Sequence, residues 1–162
     1  PVNVKRAAEG KRKANSLWYW GAGTKPSIRN FTEKTGLKGA MVSAVDLLKG
    51  IAVGAGMQVV NVEGATGSID TNWEGKAQAA IDALLKDNHD FVYIHVEAPD
   101  ECGHRAELSN KVLSIELIDE KIIGYIEDEM KKDGEDYRFL ILPDHPTPIA
   151  LRTPHAIMQL PL

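Results

Sequence analysis

Gly39-Ala-Met-Val-Ser-Ala-Val45 is a run of small apolar residues, and Asp46-Leu-Leu-Lys-Gly-Ile-Ala-Val-Gly54 follows it without a linker. The first run predicts a buried strand, because a short continuous apolar segment can be covered on both faces of a sheet. The second predicts a helix from Leu47 to about Gly54, with Asp46 as a candidate capping residue. A strand that leads directly into a helix is the basic unit of a parallel sheet.

The same alternation of strand and helix extends over the rest of the chain. A helix from Asn72 to Lys86 and a longer one from about Glu107 to Lys132 both carry apolar residues at helical spacing. In the first of these helices the apolar stripe consists of Ala77, Ala80, Ile81, Leu84 and Leu85. Further strands are predicted at 16–20, 58–62, 91–96 and 138–142, and a short helix at 27–35 that ends at Gly36. This order predicts an α/β fold with a mostly parallel sheet flanked by helices.

Composition argues against several classes of protein. Of the 162 residues, 19 are Lys or Arg and 23 are Asp or Glu, and the formal net charge of -4 disfavours a nucleic-acid-binding protein. No apolar run approaches the roughly 18 residues that a membrane-spanning helix requires, so no membrane partner is expected. The single cysteine, Cys102, excludes an internal disulfide and suits a reducing cytoplasm.

The two ends of the chain differ from its middle. Residues 1–15 hold five Lys or Arg and one Glu without a helical or strand period, so we expect a basic arm that precedes an α/β domain over residues 16–162. The chain begins with Pro1 rather than Met, which favours a fragment of a longer protein. Missing sequence would leave a sheet edge and apolar surface uncovered. We therefore expect association with a missing N-terminal portion or with a second copy of the chain.

Candidate metal ligands follow two of the predicted strands. Asp100 and His104 come after strand 91–96, and Asp144 and His145 come after strand 138–142. The carboxyl ends of parallel strands lie at one edge of a sheet, which is where such folds bind ligands. If the two strands are neighbours, carboxylates and imidazoles converge there, a donor set that suits Mn²⁺, Zn²⁺ or Mg²⁺. His155, ten residues beyond His145, is a further candidate.

Each of these signals has a simpler interpretation. A single Asp-x-x-x-His is common by chance, and only the second Asp-His pair strengthens the metal hypothesis. Cys102 fits a small buried residue better than a metal ligand. His95, inside a predicted strand, fits a core histidine with its hydrogen bonds made. Lys49 could hold a phosphate as a point charge or could lie at the surface with its stem buried.

Four longer motifs resemble those of one known family. They are Leu37-Lys-Gly-Ala-Met-Val-Ser-Ala-Val-Asp-Leu-Leu-Lys-Gly-Ile51, Glu63-Gly-Ala-Thr-Gly67, His95-Val-Glu-Ala-Pro-Asp-Glu-Cys-Gly-His104 and Leu142-Pro-Asp-His-Pro-Thr-Pro148. In this order they resemble stretches of the cofactor-independent phosphoglycerate mutases of archaeal type, which belong to the alkaline phosphatase superfamily. The match covers nearly the whole chain. It implies an alkaline-phosphatase-like α/β core, here partial, and a site for two metal ions.

The resemblance also implies a function and roles for residues. The family are isomerases that interconvert 3-phosphoglycerate and 2-phosphoglycerate, small phosphorylated substrates, in glycolysis and gluconeogenesis. They use a transiently phosphorylated serine and two divalent ions, commonly Mn²⁺ or Mg²⁺. By motif, Asp100 and His104 resemble ligands of one ion, and Asp144 and His145 resemble ligands of the second. Lys49 resembles the lysine that steadies the transferred phosphoryl group.

Two departures from the family pattern limit what can be carried over. The family's nucleophilic serine and one metal-binding aspartate come from an N-terminal portion of a longer chain, and neither is present here. The family usually follows Leu-Arg-Thr with a histidine, whereas this chain reads Leu151-Arg-Thr-Pro-His155. His155 is therefore shifted by one residue. We expect the isolated chain to have little or no mutase activity.

Other functions remain compatible with the same residues. A metal-dependent phosphatase or a phosphonate-processing enzyme of the same superfamily would use the same ligands on another substrate. A non-catalytic α/β module that binds a partner or a regulatory phosphate is the alternative from a different class, because the nucleophile is absent.

Overall fold

A parallel sheet of three strands lies at the centre of the computed structural model, which describes residues 1–19 and 21–151. The strands are β1 (Gly39–Val42), β2 (Gln58–Val60) and β3 (Phe91–Ile94), in the order β2-β1-β3. Ala40 of the central strand pairs with Gln58 on one side and Val92 on the other. All four residues of β1 are buried, as its small apolar sequence predicts. The predicted α/β class with a parallel sheet is confirmed.

Helices connect and flank these strands. They are α1 (Val2–Ala8), α2 (Phe31–Thr35), α3 (Asp46–Gly54), α4 (Trp73–Leu85), α5 (Ala98–His104), α6 (Leu108–Leu117) and α7 (Tyr125–Asp133). A π-helical segment, Ile118–Gly124, joins α6 to α7, and a 3-10 turn spans Ile149–Leu151. The predicted long helix is therefore one helical stretch with an altered hydrogen-bond pattern at its middle. Its end at Gly134 is as predicted, with a positive φ of 86° that glycine adopts at low cost.

The main hydrophobic core lies between α4, the π-helical segment and α7, beside β3. Its buried members are Trp73, Ala77, Ala80, Ile81, Ala98, Ile122, Ile126 and Met130. The predicted stripe of α4 accounts for three of them, and its remaining residues, Leu84 and Leu85, pack at the edge of the same cluster. Asn72 caps α4, since its side chain accepts a hydrogen bond from the backbone N–H of Gly75 at 2.8 Å.

Several local predictions are wrong in detail. Asp46 lies in the first turn of α3 rather than capping it, and the residue at the cap is Val45. The basic arm contains the helix α1, which the sequence does not predict, and none of the residues of α1 is buried. The strand predicted at 91–96 ends at Ile94, and its residues Phe91 and Tyr93 are exposed.

Two predicted strands do not form. Residues 16–19 are irregular and exposed, and Trp20 lies outside the described residues. Residues 138–142 are also irregular, and Leu140, Ile141 and Leu142 are 86%, 61% and 64% exposed. No strand of the described chain pairs with either segment. Within residues 1–19 and 21–151 the sheet therefore has three strands rather than the five expected from sequence.

The segment after β3 is more regular than predicted. Residues 98–104 form the helix α5, which the sequence analysis does not predict, with Pro99 in its first turn, where the missing N–H of proline costs nothing. This helix sets the relative position of the aspartate and histidine that the sequence singled out. Over the described ranges, no helix combines the length and apolarity needed to cross a bilayer.

Candidate metal centre

Helix α5 places Asp100 and His104 one turn apart on one face. Residues at positions i and i+4 of a helix are neighbours on its surface. Nε2 of His104 lies 3.1 Å from Oδ2 of Asp100, and the side chains are 32% and 25% exposed. The pair is thus close enough for a hydrogen bond and open enough for a solute to reach it.

The pair Asp144 and His145 lies close to the pair Asp100 and His104. Nδ1 of His145 lies 3.9 Å from Oδ1 of Asp100, although 45 positions separate the two residues in sequence. Nε2 of His145 lies 3.3 Å from Oδ2 of Asp144, and the backbone N–H of His145 donates to Oδ1 of Asp144 at 2.9 Å. The structure therefore brings Asp100, His104, Asp144 and His145 into one cluster, here called the Asp-His cluster.

Thr147 connects the two halves of the Asp-His cluster. It is buried, and its hydroxyl donates a hydrogen bond to Oδ1 of Asp100. The same Oγ1 lies 3.4 Å from Nδ1 of His145. Sequence reasoning gave this residue no role. The signal that could have found it is its place between Pro146 and Pro148, two residues after His145.

A buried charge lies near the cluster. Lys76, on α4, is 1% exposed, and its Nζ donates to the carbonyl oxygen of Thr66 at 3.2 Å. Burial lowers the pKa of Lys76, and the charge of Glu97 opposes that shift. The sequence predicted no role for Lys76. Its spacing from Trp73 and Ala80 places it on the buried face of α4, which was a usable signal.

Several carboxylates lie near Glu97, which follows β3. Its carboxylate lies against Gly67, so a side chain at position 67 would displace Oε2 of Glu97 from this position. Burial raises the pKa of Glu97, and the charges of Glu101 and Asp100 raise it further. A concentration of carboxylates at one strand end favours the binding of cations.

His95 differs from the prediction that its hydrogen bonds are made. Its Nδ1 atom is buried and has no hydrogen-bond partner among the described residues. Burial lowers the pKa of His95, while the negative charge of Asp144 opposes that shift. An imidazole in this position is therefore held toward its neutral form, beside the Asp-His cluster.

The remaining candidate residues are Cys102, Lys49 and His155. Cys102 is fully buried, and burial raises the pKa of its thiol, as the prediction of a packing residue requires. Lys49 lies on α3 and is half-buried; within the described segments, no hydrogen bond or ion pair joins it to the Asp-His cluster. His155 lies outside the described residues.

The chemistry of the cluster fits divalent cations. Two carboxylates and two imidazoles are the donor types that transition metals and Mg²⁺ use in proteins. Yet no three His, Cys, Asp or Glu side chains in residues 1–19 and 21–151 share one point suited to an ion. The cluster thus offers pairs of donors, and an ion held there would need additional ligands.

Comparison with protein families supports the same chemistry. Residues 8–162 match the model of the Metalloenzyme superfamily. The chain belongs to this superfamily. Its α/β architecture with a parallel sheet is consistent with this assignment.

Relatives of this superfamily member carry a consistent name. The chain is 51% identical over 153 residues to 2,3-bisphosphoglycerate-independent phosphoglycerate mutase of Methanothrix thermoacetophila, which covers 94% of this chain and 38% of the relative. It is 54% identical to the probable enzyme of the same name from Geobacter sulfurreducens, with the same coverage. The resemblance to this family is therefore confirmed, and the chain spans 38% of the length of these relatives.

A solved structure shows the same fold. The PH0037 protein of Pyrococcus horikoshii is 38% identical and superposes with a TM-score of 0.71, covering 94% of this chain and 39% of that one. The similarity extends over almost every residue of the chain. The arrangement of sheet and helices described above is thus shared with a larger protein.

Proposed function

We propose that this chain is the metal-binding part of a 2,3-bisphosphoglycerate-independent phosphoglycerate mutase, which interconverts 3-phosphoglycerate and 2-phosphoglycerate through a phosphoserine. The observation that carries the proposal is the 3.9 Å approach of His145 to Asp100, which joins two Asp-His pairs from distant parts of the chain. The relatives named as mutases at 51% and 54% identity support it.

Each pair has a defined part in this proposal. Asp100 and His104 would hold one divalent ion, Asp144 and His145 would hold the second, and His155 would add a ligand. When bound, such ions neutralise phosphoryl charge and lower the pKa of the nucleophile. Lys49 would steady the transferred phosphoryl group as a point charge.

The surroundings of the cluster support cation binding before any substrate arrives. Burial raises the pKa of Glu97, and the nearby charges of Glu101 and Asp100 raise it further. A cation at this strand end would relieve the repulsion between these carboxylates. The mutual repulsion of the carboxylates is thus a reason for the site to take up divalent ions.

The proposal also names the metal ions, the metabolic process and the cellular compartment. We propose Mn²⁺ or Mg²⁺ as the ions, with Zn²⁺ compatible with the imidazole ligands. The process would be glycolysis and gluconeogenesis in the cytoplasm. The phosphorylated serine would be supplied by sequence that the relatives have beyond the 38% that this chain spans.

Titration with Mn²⁺ tests the metal part directly. Calorimetry on the 162-residue chain should detect weak binding, because two donors per ion leave each site incomplete. The double variant Asp100→Ala/Asp144→Ala should lose it. Asp136→Ala, which removes an exposed carboxylate in the loop after α7, is the matched control and should bind as the unmodified chain does. Equal affinity in all three proteins would contradict the assignment.

The substrate part needs a second assay. The chain alone should not convert 3-phosphoglycerate, whereas a full-length protein containing this segment should. The same protein with Asp100→Ala should lose the conversion. Hydrolysis of phosphate monoesters without any conversion would instead indicate a phosphatase of the same superfamily.

A further inference from the structure

We infer that Thr147 is a positioning residue that holds the Asp144–His145 pair against Asp100, an inference that rests on the proposed metal-binding function. Its hydroxyl donates to Asp100 and lies 3.4 Å from Nδ1 of His145. One oxygen atom therefore contacts a member of each pair. Among the described residues outside the Asp-His cluster, Thr147 is the side chain that contacts both pairs.

The bond to Asp100 has a consequence for the imidazole. A hydroxyl has a single proton, and here that proton goes to the carboxylate. Nδ1 of His145 can then share the same oxygen only as a donor. Nε2 of the same ring lies 3.3 Å from Oδ2 of Asp144, so the ring spans the hydroxyl of Thr147 and the carboxylate of Asp144. Thr147 thus helps to fix the orientation of the His145 ring beside Asp100.

The backbone of Thr147 is fixed as firmly as its hydroxyl. Its carbonyl oxygen accepts a hydrogen bond from Nζ of Lys111 at 2.6 Å, and Lys111 lies on α6. A side chain at Gly103 would approach the same carbonyl oxygen to 2.8 Å, so glycine on α5 lets the loop come this close. Pro146 and Pro148 restrict the backbone on either side.

These contacts place Thr147 where it can order the loop before an ion binds. The loop is joined to α5 through Asp100 and to α6 through Lys111, and Thr147 is itself 5% exposed. Asp144 and His145 lie on the exposed side of this attachment. Removal of the hydroxyl should release the second pair while the helices remain folded.

The test compares Thr147→Val, which keeps the shape and removes the hydroxyl, with Thr147→Ser, which keeps the hydroxyl. Thr71→Val is the matched control, because Thr71 is 4% exposed and its hydroxyl also takes part in a loop hydrogen bond. Mn²⁺ affinity should fall about tenfold or more in Thr147→Val, as for other residues that orient metal ligands. Thr147→Ser and Thr71→Val should bind Mn²⁺ as the unmodified chain does.

Amide hydrogen exchange on the metal-free proteins provides the second measurement. In Thr147→Val the amides of residues 144–151 should exchange faster, while those of α4 keep their protection. If the unmodified chain binds no Mn²⁺, the proposed function fails, and exchange still decides whether Thr147 holds the loop. Unchanged exchange in Thr147→Val overturns the inference. So does faster exchange without any loss of Mn²⁺ affinity in a chain that binds the ion, or a loss that Thr147→Ser shares.

Discussion

Residues 91–94 and residues 138–142 are both short apolar runs that end shortly before an aspartate and a histidine. The first forms β3, paired with β1 along its whole length and packed on the core beside α4. The second lies unpaired in the described chain, with Leu140 86% exposed. Local sequence is similar in the two regions, so the difference lies in the partner. A strand requires a neighbouring backbone for its hydrogen bonds, and apolar composition alone does not supply one.

The two regions also hold their site residues in different ways. Asp100 and His104 are fixed by helical geometry, one turn apart on α5. Asp144 and His145 lie on an irregular loop, and within the described chain the contacts to Asp100 and those of Thr147 attach this loop to α5 and α6. One half of the Asp-His cluster is therefore preorganised by local structure, and the other half depends on long-range contacts. Substitutions in the two regions should therefore have different effects on stability and on metal binding.

The largest expected difference concerns a charge placed in each run. Val92→Asp would put a carboxylate among apolar side chains of the core and should cost about 3 kcal/mol or more. Ile141→Asp changes a side chain that is 61% exposed and should cost less than about 0.5 kcal/mol. Urea unfolding followed by the fluorescence of buried Trp73 would measure both. Equal losses would show that residues 138–142 are packed in solution.

The second comparison concerns the metal ligands. Asp100 contacts both His104 and His145, whereas Asp144 contacts His145 alone within the cluster. Asp100→Ala should therefore weaken Mn²⁺ binding about 100-fold and Asp144→Ala about tenfold. Calorimetric titration at one pH and salt concentration gives the ratio. A greater loss in Asp144→Ala would mean that the loop, and not α5, provides the main site.

The sequence predicts the elements that local patterns determine better than the elements that depend on long-range contacts. β1 and α4 were predicted within a few residues because their patterns are local: a small apolar run, and a stripe with Asn72 at its start. The π-helical segment was missed, because the side-chain spacing of residues 118–124 resembles that of an ordinary helix. The unpaired state of residues 138–142 could not be predicted, since it depends on which strands stand beside them.

The candidate site could likewise be predicted only where the residue types themselves indicate metal binding. Residue types and strand ends pointed to Asp100, His104, Asp144 and His145, and the structure brings them together. Thr147 and Lys76 were missed, because threonine and lysine carry no metal-site signature and their importance comes from burial and from contacts across the fold. The metal role of the four residues stays a prediction until binding is measured.

A third comparison uses two aromatic rings of similar exposure. Phe91 is 36% exposed and its ring lies 5.1 Å from that of Phe31, while Phe139 is 41% exposed and lies 5.5 Å from Tyr137. Phe91→Ala should cost about 1.5 kcal/mol, because the ring also covers the start of a paired strand. Phe139→Ala should cost about 0.5 kcal/mol or less, since Tyr137, its ring partner among the described residues, is also exposed. Thermal unfolding of the two variants separates these values, and a larger loss at Phe139 would contradict the contrast.

The smallest expected effect concerns the charge beside α5. The pKa of Glu97 is raised by burial, so the folded state binds its proton more tightly than the unfolded state does. Glu97 therefore contributes stability below the unfolded pKa of about 4.3, and that contribution is lost as pH rises through the folded pKa. Glu97→Gln keeps the group neutral, so it should stabilise the metal-free chain at pH 7 by about 0.5 kcal/mol, and less at pH 4.

Exposed Glu135, in the unpaired region after α7, provides the control, and Glu135→Gln should change stability little at either pH. Urea unfolding at pH 4 and pH 7 measures all three proteins. If Glu97→Gln destabilises the chain at pH 7, the attraction of Lys76 for the ionised carboxylate outweighs burial and its acidic neighbours. The β3 side of the cluster would then be balanced in charge without a cation, and the electrostatic reason for this site to take up a metal ion would be lost.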